Sequence, residues 1–165
     1  MSTVERVDQL LHRIAAAADW QFALGVHIRF ANPTLTYHSY PATWIDLYDR
    51  KGYRDEDPAV RWGLTHRGTC DWADLVAEDR AGVFAEAAEY GLRHGFVAST
   101  GEADSRTMGF FARADRPFSA AEVAKAAALL DELHTATIGV ERKPEAEIAA
   151  LRALQLSVLG IAPPG

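Results

Sequence analysis

The sequence predicts an α+β domain, built as a three-layer α-β-α sandwich with a central antiparallel sheet. Two pairs of strands are each joined by a tight turn, and such a turn makes sequential strands antiparallel neighbours. Helices fall between the two pairs and at both ends of the chain, where they can cover both faces of the sheet. The chain has 165 residues, 48% of them hydrophobic, which suits one such domain.

The first predicted element is an amphipathic helix. Apolar side chains recur every three or four residues between Val4 and Ala18, which is the period of one helix face. Ser2 or Thr3 precedes this run and can accept hydrogen bonds from the free N–H groups of the first turn. The pattern therefore predicts both the helix and its start.

A pair of strands is predicted next. In the segment FALGVHIRF, every second residue from Phe22 to Phe30 is apolar, as expected for a strand with one buried face. Asn32 and Pro33 predict a turn after this strand. The following segment, TLTYHSY, predicts a second strand that forms a hairpin with the first.

Three helices are predicted between the two strand pairs. Residues 42–50 can form a short one. Asp57 and Pro58 begin another, which runs to about Leu64, because Asp caps helix N-termini and Pro fits the first helical position. The third is EDRAGVFAEAAEYGL, and it ends near Gly91, a residue suited to the left-handed conformation that closes many helices.

The second strand pair is HGFVAST and SRTMGFFARAD, separated by the turn segment GEAD. Ser119 and Glu122 then have the spacing of a capping box at the start of the longest predicted helix. A last helix is predicted from Pro144, and the segment APPG stops it. We therefore expect a domain over residues 1–143 and a C-terminal helix and tail over residues 144–165.

Charge and cysteine content narrow the function classes. Acidic residues outnumber basic ones by 23 to 17, and the net charge of -6 disfavours direct contact with nucleic acid or anionic membranes. Cys70 is the single cysteine, so the chain is expected to work in the reducing cytoplasm without an internal disulfide. Charged residues interrupt the first 20 residues, which argues against a signal peptide or a membrane span there.

Aromatic residues beside an Asp-Pro pair indicate a binding site. Trp44 and Tyr48 are four residues apart, so on a helix both rings lie on one face and can reach one point. Each ring has an apolar body and a polar tip that needs a partner when buried, and a small molecule with carbonyl oxygens would supply it. The alternative is that both rings only pack against the sheet and that Asp57 only caps its helix.

No enzyme class is indicated. The six histidines show no metal-binding or catalytic spacing, and the sequence has no glycine-rich phosphate loop or metal-ligand cluster. His66 and Cys70, four residues apart, are the one candidate for a redox or hydrolytic pair, whereas a lone buried thiol is the commoner case. We expect neither a catalytic residue nor a cofactor.

The spacing of four residues gives a more specific indication. Trp44, Tyr48, Asp57 and Trp72, followed by EYGLRHG, resemble the autoinducer-binding domain of LuxR-type quorum-sensing regulators, where a Trp, a Tyr, an Asp-Pro and a Trp have the same three intervals. The segments DPAVRW and ARADRPF resemble further parts of that domain, so the resemblance covers most of residues 1–143. It implies an α-β-α sandwich and a small-molecule receptor in quorum-sensing transcriptional control.

The resemblance implies an N-acyl-homoserine lactone as the ligand and a role for each matched residue. Trp44 would donate its indole N–H to the lactone carbonyl, and Tyr48 its hydroxyl to the acyl amide carbonyl. Asp57 would accept the amide N–H, because an ionised carboxylate can only accept. Trp72 would pack on the lactone, and Gly95 would keep the nearby backbone close to the sheet.

Five more residues are candidates for the acyl side of the pocket. They are large or branched side chains near the aromatic segment or on the later strands, and ordinary core packing is the alternative for each. The five are Tyr40, Leu47, Tyr53, Val60 and Phe110.

One departure from the family concerns the strand before the long helix. Where many members place a Ser or Thr, the alignment puts Phe111, which removes a donor and adds a ring to the expected pocket. A short, aromatic or otherwise unusual ligand is then expected, with Ser99 or Thr100 replacing the lost donor. The alternative is a sensory or protein-interaction domain of the same fold, with a different ligand or a pocket filled by its own side chains.

The C-terminal end also departs from the family, whose members normally continue into a helix-turn-helix domain. No basic recognition helix follows Pro144, so this chain is not expected to bind DNA directly. It is expected to be either a ligand-binding fragment or a stand-alone receptor. Small residues and leucines on the helix after Ser119 would suit a homodimer, or a heterodimer through which the chain modulates a full-length LuxR-type regulator.

Overall fold

The computed structural model describes residues 1–158, and it shows helices packed on both faces of a five-stranded antiparallel sheet. The order of strands in the sheet is β2-β1-β5-β4-β3. The predicted fold class is confirmed, whereas the predicted stop of the last helix at residues 162–165 lies outside the described residues. The elements are α1 Thr3–Ala16, β1 Gln21–Arg29, β2 Asn32–His38, α2 Ala42–Arg50, α3 Pro58–Thr65, β3 Gly68–Asp71, α4 Val83–Ala88, β4 His94–Thr100, β5 Arg106–Arg113, α5 Ala120–Ala136 and α6 Glu145–Val158.

Helix starts follow the capping residues that the sequence indicates. Ser2 with Glu5, and Ser119 with Glu122, form capping boxes at α1 and α5. Asp57 is the N-cap of α3, and its side chain accepts a backbone N–H of the first turn. These three predicted starts are confirmed.

Helix α4 is shorter than the sequence predicts. Only Val83–Ala88 is helical within the segment EDRAGVFAEAAEYGL. Asp79 lies before the helix, and its carboxylate accepts three backbone N–H groups at the helix start at distances of 2.8 to 3.1 Å. Asp79 thus acts as a cap and not as a helical residue. Gly91 follows the helix with φ +83°, as its predicted closing role requires.

The edge strand β3 was not predicted. Gly68–Asp71 pairs with β4 and completes the sheet on that side. Four residues give only two periods of alternation, which is too short a pattern to distinguish from a loop.

The β1–β2 hairpin turns two residues earlier than predicted. The turn residues are Phe30 and Ala31, whose φ angles are +51° and +67°, while Asn32 and Pro33 already belong to β2. Phe30 is fully exposed at this turn, so the apolar side chain that seemed to continue the strand is outside the core.

A β-bulge in β1 changes the face to which the later residues of the strand belong. The register with β5 shifts between Gly25 and Ile28, and His27 between them has φ +48°. Phe22 is buried in the cluster of one face, whereas Ile28 lines a cavity on the other. The expectation that Phe22 and Ile28 share one face is therefore wrong, because the bulge inserts an extra residue.

Two apolar clusters cover the two faces of the sheet. One packs under α1, α5 and α6, and its largest members include Leu10, Leu11, Phe22, Tyr37, Phe96, Phe111, Leu130 and Leu151. The other packs under the segments from α2 to α4, and it includes Tyr40, Trp44, Tyr53, Trp72, Leu75, Val83 and Leu92. Because the predicted binding residues belong mainly to the second cluster, that face carries the candidate site.

Helix α6 packs against α1 and the edge strand β2. The side-chain amide of Gln155 bonds to both backbone groups of His38, at 2.7 and 2.8 Å. The hydroxyl of Tyr37 donates to the carbonyl oxygen of Leu151 at 2.9 Å. These contacts hold α6 on the α1 side of the fold.

Candidate ligand-binding site

A cavity of about 370 Å³ lies between the sheet and the segments from α2 to α4. This volume is within the lower part of the range usual for small-molecule sites. Six of the nine predicted site residues line the cavity, namely Tyr40, Trp44, Tyr48, Asp57, Val60 and Trp72. Most of the remaining wall is apolar, and it includes Leu24, Ile28, Leu64, Val83, Met108 and Phe110.

Helix α2 brings two of the predicted rings together. Trp44 and Tyr48 lie on one face of the helix, and their ring centroids are 5.7 Å apart in an edge-to-face arrangement. Trp44 is 3% exposed. Tyr40 lies four residues before Trp44 and also lines the cavity, so three amphipathic rings meet at one end of it.

The carboxylate of Asp57 joins this group of rings. Its Oδ2 accepts the hydroxyl of Tyr48 at 2.9 Å, and its Oδ1 accepts the N–H of Ala59 at 2.9 Å. The two oxygens have about four acceptor positions, so Asp57 can accept a further N–H from a ligand. Tyr48 has only one hydroxyl hydrogen, however, and Asp57 already receives it. The role implied for Tyr48, as donor to an amide carbonyl, does not fit this arrangement.

Burial weakens Asp57 as an acid. Desolvation raises the pKa of Asp57 from 3.8 to about 6, against the opposing effect of the hydrogen bonds from Tyr48 and Ala59. Burial and then the nearby Asp57 charge raise the pKa of Tyr40 above its ordinary value, and the same two causes raise that of Tyr48. At neutral pH, the buried end of the cavity therefore holds an ionised carboxylate beside neutral hydroxyl groups.

Two polar atoms of the cavity residues have no hydrogen-bond partner among the residues that the structure describes. They are the hydroxyl of Tyr40, a residue that is 8% exposed, and the indole N–H of Trp72, which is 7% exposed. Leaving such a group unpaired costs about 1 to 3 kcal/mol. Both residues line the cavity, so acceptor oxygens of a bound molecule are candidate partners for these donors.

Gly95 lies behind the wall of the cavity. A Cβ atom at this position would be 2.5 Å from Cδ2 and Cε3 of Trp72, a distance that real contacts do not reach. Phe84 also stacks on the Trp72 ring, with centroids 5.2 Å apart. The absence of a side chain on Gly95 thus allows Trp72 to lie flat against β4, in keeping with the close backbone approach expected of this glycine.

Gly95→Ala is expected to destabilise the protein by about 1 to 3 kcal/mol, because the added methyl group overpacks the site and displaces Trp72. Urea denaturation measures this loss. In a Trp72→Leu background the penalty should shrink, since the smaller side chain can move away. An equal penalty in both backgrounds would show that the collision with Trp72 is not its cause.

Tyr53 supports the site without lining the cavity. Its ring packs against Trp44 and Tyr48, with centroids 6.2 and 6.0 Å away. Its hydroxyl donates to Glu86, which also pairs with Lys51 at 2.8 Å. Tyr53 therefore holds the two cavity rings in place and links α2 to α4. Its expected direct contact with an acyl chain does not fit this position.

The expectation that Phe111 faces the ligand is wrong. Its ring is 1% exposed and packs in the opposite cluster, with centroids 4.8 Å from Trp20 and 5.1 Å from Phe96. Successive strand residues face opposite sides of a sheet, and the neighbouring Phe110 lines the cavity instead. A shift of one residue along the strand thus exchanges a cavity residue for a residue of the opposite core.

Phe111 neither fills the cavity nor shortens it, so it gives no reason to expect a short or aromatic ligand. Ser99 does not replace a missing donor, because its hydroxyl donates to the carbonyl oxygen of Gly63 at 2.7 Å. Neither Ser99 nor Thr100 is among the residues that line the cavity.

Three residues that line the cavity, Arg61, Leu64 and Ile28, were not predicted from the sequence as site residues. On α3, Val60, Arg61 and Leu64 line the cavity together with Asp57, at the spacing of one helix face. This spacing is visible in the sequence and could have identified Arg61 and Leu64. Ile28 could not be found in this way, because its position depends on the bulge.

Within residues 1–158, no group of three or more His, Cys, Asp or Glu side chains is placed to hold a metal ion. No helix in the same range is both long enough and apolar enough to cross a membrane.

Comparison with known sequences identifies relatives. The family model of the autoinducer binding domain matches residues 4–138. The transcriptional activator protein SolR of Ralstonia nicotianae is 27% identical over 105 residues, which are 62% of this chain and 44% of SolR. SolR of Ralstonia solanacearum is 29% identical over 105 residues, which are 59% of this chain and 44% of that SolR. The matched region thus spans less than half the length of these relatives.

Solved structures share the fold. Escherichia coli SdiA has a TM-score of 0.65 at 22% identity, with 99% of this chain and 79% of that chain covered. A second structure is that of CepR2 of Burkholderia cenocepacia, an N-acylhomoserine lactone dependent LuxR family transcription factor. Its TM-score is 0.59 at 18% identity, with 83% of this chain and 92% of the CepR2 chain covered. The fold, the family match over most of the chain and the named relatives agree. The chain belongs to the autoinducer-binding domain family of LuxR-type quorum-sensing regulators.

Proposed function

We propose that this chain is the receptor part of a quorum-sensing transcription regulator and that its cavity binds an N-acyl-homoserine lactone. The observation that supports this most directly is the meeting of one acceptor, Asp57, with the unpaired hydroxyl donor of Tyr40 in a mainly apolar cavity. An acylated lactone offers an N–H group, carbonyl oxygens and an apolar chain. These groups complement the cavity one by one.

The head of the ligand is proposed to lie among the rings. Asp57 accepts the amide N–H, and Trp44 donates its indole N–H to the lactone carbonyl. Tyr40 donates to the amide carbonyl in place of Tyr48, because the Tyr48 hydroxyl hydrogen is engaged by Asp57. Trp72 packs on the lactone ring and is held in position by Gly95.

The acyl chain is proposed to lie along the apolar part of the cavity. Val60, Ile28, Met108 and Phe110 line this part. Each methylene group that it buries contributes about 0.8 kcal/mol, so affinity should rise with chain length until the apolar wall ends.

The role proposed for the chain is binding and not catalysis, carried out in the cytoplasm without a cofactor. SolR is named a transcriptional activator. We propose that the chain works as a homodimer, or as a heterodimer in which it modulates a LuxR-type regulator. The matched region covers 44% of SolR, and no direct contact with DNA is proposed for this chain.

A second candidate ligand is an acylglycerol. SdiA, which shares the fold with a TM-score of 0.63 at 19% identity, has been solved in complex with octanoyl-rac-glycerol. The unpaired donors of Tyr40 and Trp72 could bind the oxygens of such an ester. It has no N–H group for Asp57, however, so we favour the lactone.

Thermal unfolding with a panel of ligands tests the proposal. A ligand at 100 times its Kd stabilises the protein by about 2.7 kcal/mol, which corresponds to roughly 5 to 10 °C in Tm for a chain of this size. We expect such a shift with acyl-homoserine lactones and a smaller one with octanoylglycerol. The ring-opened acyl-homoserine is the control. No shift with short, long, oxo-substituted or aryl lactones would contradict the proposed ligand class.

A further inference from the structure

Helix α3 presents a positive charge on the same face as its buried carboxylate. Asp57, Val60, Arg61 and Leu64 follow the spacing of one helix face, and all four line the cavity. Asp57 is buried, whereas Arg61, one turn later, is exposed. An unpaired charge is unfavourable against apolar surface unless it reaches water or an opposite charge. Arg61 therefore lies where the cavity meets solvent.

A second arginine lies at the same opening. Arg54 also lines the cavity, and its guanidinium donates to the carbonyl oxygen of Ala31 in the β1–β2 turn at 3.1 Å. Asp55 is the one acidic residue beside them in the exposed lining. Neither Arg54 nor Arg61 takes part in an ion pair among residues 1–158. The opening is thus positive in a chain whose net charge is -6.

The sheet register indicates that this opening lies at the opposite end of the cavity from Trp72 and the other residues proposed to bind the lactone head. Trp72 packs on Gly95, which pairs with Ala112 of β5. Met108 lies four residues earlier on the same strand, and it lines the cavity nearer to the β1–β2 turn. Four residues of a strand span roughly 13 Å. A ligand whose head meets Trp72 therefore directs its tail towards the two arginines.

We infer that the cavity takes an acyl ligand whose tail ends in a carboxylate, and that Arg61 and Arg54 recognise this end at the opening. The inference rests on the proposed function of the cavity as an acyl-lactone site. A guanidinium group pairs with a carboxylate through two parallel hydrogen bonds. Because the opening is exposed, the carboxylate keeps part of its hydration there and avoids the desolvation that burial would impose.

The discriminating experiment is calorimetric titration with three lactones of equal chain length. One ends in a methyl group, one in a carboxylate and one in the methyl ester of that carboxylate. At low ionic strength the wild-type protein should bind the carboxylate about two- to fivefold more tightly than the other two. The preference should fall as salt is added, because the pair is exposed.

Substitutions of Arg61 test whether this residue causes the preference for the carboxylate-ended lactone. Arg61→Met should reduce it, because only Arg54 then remains at the opening, and Arg61→Lys should retain more of it. Arg67→Met is the matched control, because Arg67 is exposed, pairs with Glu102 at 3.8 Å and does not line the cavity. Its preference should equal that of the wild type. The Tm of each empty variant confirms that it is folded.

Two results would overturn the inference. Equal or tighter binding of the methyl-ended lactone by the wild type would reject the carboxylate tail and leave the proposed function in place. An undiminished preference in Arg61→Met would reject the recognition role of Arg61. Failure of all three lactones to bind would instead reject the proposed function, and with it this inference.

Discussion

Asp57→Asn is expected to remove most of the ligand affinity while the empty protein stays at least about as stable as the wild type. Asn caps a helix as well as Asp does and occupies the same space. It lacks the negative charge that accepts the ligand N–H, and a hydrogen bond to a charged group contributes about 1.5 to 3 kcal/mol. Titration calorimetry should therefore show a Kd roughly 10 to 100 times higher.

The wild-type protein supplies a pH control for this result. The pKa of Asp57 in the empty protein is raised to about 6, and the ionised form accepts a ligand N–H much more strongly than the protonated form does. Lactone affinity should fall by up to about tenfold for each pH unit below 6. The affinity of Asp57→Asn should not change over the same range.

The contribution of Asp57 to the stability of the empty protein should change with pH in the opposite direction. Because folding raises the pKa of Asp57 from 3.8 to about 6, the fold favours the protonated form. The resulting stabilisation, up to about 3 kcal/mol, is fully present below the ordinary pKa and is lost as the pH rises through 6. Asn is neutral at every pH and avoids this loss. If Asp57→Asn lowered stability and affinity equally, Asp57 would mainly be a helix cap.

Phe111→Ala is expected to cause the largest loss of stability, about 3 to 5 kcal/mol. Its ring is fully buried between Trp20 and Phe96 on the face that α1 and α5 cover. The void would therefore open on the side of the sheet opposite the ligand. Lactone affinity, measured at a temperature where the variant is folded, should stay close to that of the wild type.

Phe110→Ala is the matched control for this substitution. Phe110 is the adjacent residue, is only partly buried and lines the cavity. Its removal should cost less stability in guanidinium denaturation and should change the preference for acyl-chain length. If Phe111→Ala changed the ligand preference and Phe110→Ala did not, our assignment of the two faces of β5 would be reversed.

Residue spacing and capping on helices predicted the site residues more accurately than the alternation of side-chain faces on strands. The four-residue spacing of Trp44 and Tyr48 and the capping role of Asp57 depend only on nearby residues, and the structure shows both. On β5, an error of one residue exchanges the two faces of the sheet, which is why Phe111 was mistaken for a cavity residue. The bulge that places Ile28 in the cavity has no comparable signal in the sequence.

The hydrogen bonds within the site could not be predicted from spacing. The Tyr48 hydroxyl could in principle donate to a ligand, but in the fold it reaches Asp57, which lies on a different helix. This bond leaves the Tyr40 hydroxyl as the unpaired donor. Which donor remains free is decided by where the fold places Tyr48 of α2 relative to Asp57 at the start of α3, and so only the three-dimensional structure reveals it.

A crystal structure of this chain with N-octanoyl-homoserine lactone tests the proposed binding mode most directly. We expect the ligand amide N–H to donate to Asp57, the two carbonyl oxygens to accept from Trp44 and Tyr40, and the acyl chain to run towards the β1–β2 turn. A ligand bound outside the cavity, or one that leaves the Tyr40 hydroxyl without a partner and makes no contact with Asp57, would contradict it.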